Sequence, residues 1–456
     1  MSTHHQLVVI GTGSGNTVID DSFADLDVAI IEREQRFGGT CLNVGCIPTK
    51  MLAYTAEVVD TVERSGEYGV DAQLGGMRWA DVRERVFGRL DPIAQEGRDG
   101  RRDTPWITVH TGLARFTGPR TLDVDGTTIT ADQIVLACGS RPLVPPPVAE
   151  SGLPYETSDT IMRMDRVPRR LAVLGGGYIA AELAHVFAAA GAEIVVIEKG
   201  DSLLGPQDET VAREFTALAE KRYDLRLGRE LTSVSGAPGA LRLTLDDGSS
   251  VEADTLLVAV GRVPNGDLMD LAAGGVEVGE KGLVVVDEHQ RTTAEGVWAL
   301  GDISTSVPLK HVANREADVV RHNLRHPDDL ITADHDTVPS AVFTDPQIAQ
   351  VGATEQDLRA SDTAYRVGTT RFADTAYGWA MEDRTGFCKV LADPDTGTVL
   401  GAHIMGPQAS TLIQPLVLAV ALGIPARTLV EGPYWIHPAL TEVVQQSLIA
   451  VTADGE

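Results

Sequence analysis

Cysteine is scarce in this chain: its 456 residues include four. That excludes a disulfide scaffold, and a chain of this length has no need of one. Long apolar runs are absent as well; no stretch reaches the roughly 18 residues that a membrane-spanning helix requires. Basic residues are in deficit, 38 against 65 acidic, for a formal charge of -27. Such a balance opposes binding to nucleic acid or to anionic membranes. Any bound nucleotide must then be held by local devices such as helix N-termini. There is no low-complexity tract and no short-period repeat. The first six residues are polar and lack the regions of an export signal, so a reducing, cytoplasmic setting is expected.

Against that scarcity, two of the four cysteines stand five residues apart, Cys41 and Cys46, within a run that opens Gly38-Gly39-Thr40 and continues Ile47-Pro48-Thr49-Lys50. Glycines and proline here suggest a tight entry into a helix, and a helix N-terminus favours a reactive thiolate. A thiol pair of this kind can take up two electrons and pass them to another disulfide. Zinc is an alternative, but it wants four ligands, usually in two short-spaced pairs, and no second Cys/His cluster is present. A buried, inert pair is the other alternative. Cys138, at the end of an apolar run, reads as a small buried hydrophobe.

Two segments share one grammar. Residues 7–10 are apolar, followed by Gly11-Thr12-Gly13-Ser14-Gly15-Asn16, a helix, and a second apolar run ending at Glu32. Strand, glycine turn, helix, strand and acid form a dinucleotide-binding pattern: the glycines let backbone approach a pyrophosphate, and the acid accepts from a ribose hydroxyl. Asn16 is a departure at the third glycine position. The pattern recurs at residues 171–198, with Gly175-Gly176-Gly177-Tyr178-Ile179-Ala180, a helix, and a strand ending at Glu198. Two such units suggest two dinucleotides, one held and one exchanging. The Pro-rich residues 140–147 between them read as a stiff connector. A later strand ends in Gly301-Asp302.

With these motifs spread over essentially its whole length, the chain resembles the pyridine nucleotide-disulfide oxidoreductases, the family of glutathione reductase, lipoamide dehydrogenase and mercuric reductase. The resemblance implies an α/β, glutathione reductase-like fold with two Rossmann-like FAD/NAD(P)-binding domains and a C-terminal α+β dimerisation domain. Its expected divisions are residues 1–145 for FAD, 146–265 for NAD(P), 266–337 completing the FAD domain, and 338–456 for the dimer interface. It further implies one tightly bound FAD per subunit, held by Gly11, Gly13, Gly15, Glu32, Gly39, Thr40, Lys50 and Gly139. Asp302 would meet the flavin ribitol, and His311 and Ala313 the isoalloxazine. NADPH or NADH would lie on Gly175, Gly177, Ala180, Glu198, Lys199, Gly261 and Arg262, with Tyr178 covering the flavin.

The catalytic set implied by the resemblance is Cys41, Cys46, the Lys50–Glu182 ion pair, and His437 with Glu442, contributed from the second subunit of a homodimer. Without it, Lys50 and Glu182 would read as ordinary surface charges, and Glu442 as an acid at a helix start that Thr441 could cap. No metal is implied. Within the family, Gly11-Thr12-Gly13-Ser14-Gly15-Asn16, Tyr377-Gly378-Trp379-Ala380 and Tyr434-Trp435-Ile436-His437-Pro438-Ala439 are most similar to the mycothione reductases of actinobacteria. The expected substrate is therefore the small-molecule disulfide mycothione; the alternative is a dihydrolipoamide dehydrogenase or another glutathione reductase-like flavoenzyme. The aromatics Tyr377, Trp379, Tyr434 and Trp435 read equally as substrate wall or as dimer packing. Arg101 and Arg102 lie where they could reach the pocket. At Glu198 an acid accepts from a ribose 2′-OH and repels a 2′-phosphate, which favours NADH, whereas mycothione reductases as a group are associated with NADPH.

Overall fold

A computed structural model describes residues 2–453. The strands Ile107–Thr111, Val28–Glu32, Ser2–Ile10 and Thr127–Leu136 lie side by side in parallel, and Val297–Ala299 adds to the last of them. Thr121–Val124 and Ala114–Gly118 extend the sheet as antiparallel strands. Val28–Glu32 is buried at all five positions, as expected for a strand covered on both faces. Its side chains alternate between two cores. Val28 and Ile30 join Leu7, Val9, Phe23 and Trp298 on one face; Ala29 and Ile31 join Val8, Ile10, Ile134 and Phe116 on the other.

The second unit repeats the plan, with Asp224–Leu227, Glu193–Glu198, Arg170–Leu174, Thr255–Val258 and Glu156–Thr157 in parallel order. The antiparallel meander Leu231–Ala237, Ala240–Leu245 and Ser250–Ala253 covers part of it. The proline-rich connector is not free-standing: Ser140–Pro142 pairs antiparallel with Arg262–Pro264, so the chain's two crossings between the units run side by side. A third, antiparallel sheet of five strands, ordered Ser340–Val342, Ile348–Gly352, Val399–Met405, Phe387–Ala392 and Arg366–Arg371, carries the C-terminal helices.

The helix Cys46–Glu63 packs against Tyr178–Ala189 of the second unit through Leu52, Ala53, Ala180 and Leu183. The same apolar cluster takes in Val342, Ile348 and Phe387 from the third sheet. The cysteine helix thereby shares one core with the second and third sheets.

The two glycine turns differ. After Gly175 the chain enters the regular helix Tyr178–Ala189. After Gly11 the expected helix is replaced by two single turns of 3-10 helix, Ser14–Thr17 and Asp21–Phe23. The local residues explain this. Asp20 caps the second turn by accepting from Ser22 N, a bond that competes with helix continuation. Buried Val18, Ile19 and Phe23 then anchor the irregular segment to the core.

Candidate active site

Both glycine turns need backbone that L side chains avoid: Gly11 has φ +102° and Gly175 φ +111°. Gly39 (φ +63°) comes so near Gly13 that a Cβ on it would lie 2.6 Å from the Gly13 Cα. Gly15 serves packing instead, since a Cβ there would meet the Ala137 side chain at 2.6 Å. Glu32 braces the first turn, accepting from Thr12 N and Thr12 Oγ1 at 2.9 and 2.5 Å through one oxygen and from Glu34 N at 2.9 Å through the other.

These residues border a cavity of about 600 Å³. Glu32, Gly11 and Gly13 line it together with Gly39, Thr40, Cys41, Cys46, Lys50, Gly139, Asp302 and Ala313. Tyr178, Glu182 and Arg262 reach it from the second unit. The glycine cradle, the acid at Glu32 and the acid at Asp302 suit a dinucleotide lying between the first turn and the cysteines. Asp302 is set by neighbours: Ser140 Oγ donates to Asp302 Oδ2 at 2.6 Å and accepts from Arg262 Nε at 2.7 Å. Behind it, buried Glu316 accepts from Gly301 N at 2.6 Å and bonds His335 Nε2 at 2.8 Å.

Cys46 is the first residue of the helix Cys46–Glu63, and Cys41 lies in the short helix Gly39–Asn43 before it. Both are free thiols. The neighbouring Cys41 thiol, followed by the Lys50 charge, pulls the Cys46 thiol down to about 6 against the cost of burial. Cys41 is pushed up by Cys46 and by burial. The pair therefore carries its negative charge on Cys46, at the helix N-terminus.

Lys50 and Glu182, 132 residues apart, are brought together by the packing of their two helices. Lys50 Nζ lies 2.8 and 2.7 Å from the Glu182 oxygens and 4.8 Å from the centre of the Phe343 ring. Glu182 is 4% exposed and also accepts from Phe343 N. His437 and Glu442 also meet, with Nδ1 2.5 Å from Oε1. His437 stays 73% exposed, whereas Glu442 is held at 13% on the first turn of Glu442–Thr452. Thr441 stands at the N-cap position but makes no side-chain cap. Among the described residues, neither member of the pair hydrogen-bonds to a cysteine, and none beyond Ala313 lines the cavity.

Other residues lie apart from the cavity. His311 does not line it, and its Nε2 is 2.9 Å from Pro339 O. Arg101 and Arg102 do not line it; Arg101 is bound to Asn16 and Ile19. Gly175, Gly177, Ala180, Glu198, Lys199 and Gly261 lie outside this cavity, around the second glycine turn and its approach. There the Glu198 carboxylate accepts from Gly200 N at 2.7 Å and sits where a Cβ on Gly176 would meet it. Cys138 is half-buried at the cavity wall, with Sγ 3.3 Å from Met269 Sδ, and burial pushes its thiol up to about 12. Among the aromatics, Trp435 packs on the C-terminal core and donates to Leu429 O, while Tyr377, Trp379 and Tyr434 are exposed. Lys310, not singled out by the sequence motifs, lines the same cavity and donates to Ser14 Oγ at 2.8 Å.

Comparison with known proteins agrees with this arrangement. Residues 5–317 match the family described as Pyridine nucleotide-disulphide oxidoreductase, and residues 338–448 match its dimerisation domain. A mycothione reductase of Mycobacterium tuberculosis (strain H37Rv) is 48% identical over 458 residues, covering 98% of this chain and 99% of that protein. A dihydrolipoyl dehydrogenase of Vibrio cholerae is 32% identical, covering 96% and 94%. Among solved structures, the Cu(II) complex of an HOCl-induced flavoprotein disulfide reductase from Escherichia coli superposes with a TM-score of 0.88 at 26% identity, covering 98% of this chain and 100% of that one. The fold is thus glutathione reductase-like. Among the described residues, no helix is long and apolar enough to cross a membrane.

Proposed function

The chain belongs to the pyridine nucleotide-disulphide oxidoreductases, and from that premise we propose that it reduces a low-molecular-weight disulfide, mycothione, to two thiols. One observation carries the reaction class: Cys41 and Cys46 open into the same cavity as the dinucleotide-suited Glu32 and Asp302. The 48% identity to a mycothione reductase supports the substrate.

Bound in the cavity, FAD would supply hydride chemistry, taking two electrons from a reduced nicotinamide and giving them to the Cys41–Cys46 disulfide. The glycine turn and Glu32 would hold its ADP half, Asp302 its ribitol, and Tyr178 would cover the nicotinamide side. Once the pair is reduced, the Cys41 proton passes to His437 of the partner subunit, which Glu442 orients. The Cys41 sulfur attacks one sulfur of the substrate, forming a mixed disulfide and breaking the substrate S–S bond. His437 returns the proton to the departing thiolate. Cys46 then attacks Cys41, reforming the disulfide and releasing the second half of the substrate as a thiolate, which takes its proton from solvent.

Glu198, held beside the second glycine turn, supports NADH as donor. The deciding assay offers the yellow enzyme mycothione, lipoamide and glutathione disulfide, each with NADH and with NADPH. Mycothione should turn over best; faster turnover of lipoamide or glutathione disulfide sinks the substrate reading. A hundredfold preference for NADPH sinks the donor reading.

A further inference from the structure

The first glycine turn lacks the device that its sequence pattern promises. A diphosphate in such a turn normally faces the N-terminus of a regular helix, whose charge comes from aligned peptide dipoles. Here Ser14–Thr17 is a single 3-10 turn, too short to supply much of that charge. The chain also carries a formal charge of -27, so a dianionic diphosphate needs a local cation. Beside the turn runs the helix Lys310–Arg325. Lys310 Nζ donates to Ser14 Oγ at 2.8 Å, Ser14 Oγ donates to Asn314 Oδ1 at 3.1 Å, and Arg321 Nη1 donates to Thr17 O at 3.2 Å. Lys310 and Ser14 both line the cavity. So do Arg33, Arg36, Lys50, Arg141 and Arg262, but each of these ion-pairs with a carboxylate. Among the described residues, no carboxylate ion-pairs with Lys310.

We propose that Lys310 binds the diphosphate of the dinucleotide in this cavity, its ammonium supplying the positive charge that a helix N-terminus would have given. This rests on the reading that the cavity takes FAD. The Ser14 hydroxyl hydrogen is committed to Asn314, so its oxygen is the acceptor that aims the lysine at the glycine turn. An ammonium has more donors than that one bond uses, and the rest can meet phosphate oxygens. Lys310 is also half-buried, and burial lowers its hold on a proton; an anion beside it restores that hold. The helix Lys310–Arg325 thus does from outside the turn what the shortened segment after Gly15 cannot do from within it.

The test reads two properties of the yellow holoenzyme: the phosphorus NMR spectrum of the bound dinucleotide, and the rate of flavin release, followed by recovery of flavin fluorescence on dilution. Lys310→Met should shift a diphosphate resonance and release flavin about tenfold faster, the scale of one lost charge-assisted hydrogen bond. Lys310→Gln, which keeps a donor for Ser14, should do the same, and Lys310→Arg should stay close to wild type. ADP, which carries the diphosphate without the flavin, is the second probe. Its competition with FAD for the deflavinated full chain should weaken by a similar factor in the Met and Gln variants, and that of adenosine should not; this arm also serves a variant that purifies without flavin. Wild-type resonances and release rates in both variants overturn the proposal. So does faster release with ADP competition unchanged, which would assign the cation to the flavin end, and so does an equal loss for adenosine, which would mark damage to the fold. A wild-type chain that takes up no FAD would overturn the underlying reading of the cavity, separately from the Lys310 comparison.

Discussion

Arg101 holds Asn16 by side chain and backbone at once, donating to Asn16 Oδ1 at 2.8 Å and to Asn16 O at 2.7 Å. A third bond reaches Ile19 O. The residue that departs from the glycine pattern is thus the anchor for an arginine from the distant helix Trp79–Asp103, and the two 3-10 turns are stapled in place of a helix. Arg101→Met should lower stability by about 2 kcal/mol and Asn16→Ala by about half as much, because the backbone bonds survive in the second. Thermal unfolding of both variants decides it; equal losses would leave the staple without support.

Lys50→Met should remove the cation that favours charge on Cys46 and leave Glu182 as a buried, poorly compensated carboxylate. The Cys46 thiol, held at about 6, should titrate at least one unit higher. A thiolate present throughout pH 6–8 in wild type would then form only toward the alkaline end, read from the pH dependence of Cys46 alkylation. An unshifted profile would show that the neighbouring Cys41 thiol alone sets the acidity.

His437→Ala should reduce disulfide turnover by about 10²–10⁴-fold, the usual scale for a lost general acid–base. Reduction of a quinone by reduced nicotinamide, which needs no thiol chemistry, should be retained. Parallel loss of both activities would instead indicate damage to the fold or to flavin binding.

Asp60 and His185 give stability an opposed pH dependence. Burial raises Asp60 from 3.8 to about 6, with Arg222 opposing, and burial followed by the Arg222 charge lowers His185 from 6.5 to about 4. Asp60 Oδ2 and His185 Nδ1 both lack hydrogen-bond partners. The Asp60 contribution is present below pH 3.8 and lost as pH rises through 6; that of His185 is present above 6.5 and lost as pH falls through 4. Asp60→Asn should therefore gain in Tm relative to wild type between pH 4.5 and 7, and His185→Gln should gain in the opposite direction. Parallel Tm curves for wild type and both variants would refute this.

Glu198→Ser should lower the KM for NADPH by about tenfold, since the repelling carboxylate is gone. Steady-state kinetics with both donors is the measurement, and an unchanged KM would place the 2′-position elsewhere.

Both glycine turns were legible in the sequence because left-handed backbone and close strand contact demand glycine at Gly11 and Gly175. The cysteine pair was legible because its glycines and proline announce a helix start. Lys50 and Glu182 could be paired only through the family resemblance, for nothing local links residues on two different helices. The missing helix after Gly15 was only half hidden: Asp20, which caps the second turn, is local, but Arg101, which staples the two turns, is far along the chain. The contact of the His311 ring with Pro339 O was not legible, because it is made by tertiary folding. Lys310 was overlooked, although a lysine at the start of a helix is a local oddity that could have been noticed.

Among the described residues, none beyond Ala313 walls the cavity, while His437, backed by Glu442, is exposed on the same chain. In genetic terms, the proposed mechanism puts lesions at Cys41 and at His437 in different copies of one working site. Two dead alleles expressed together should then restore one live site per mixed dimer, and a single defective allele should silence one site of every wild-type subunit it captures.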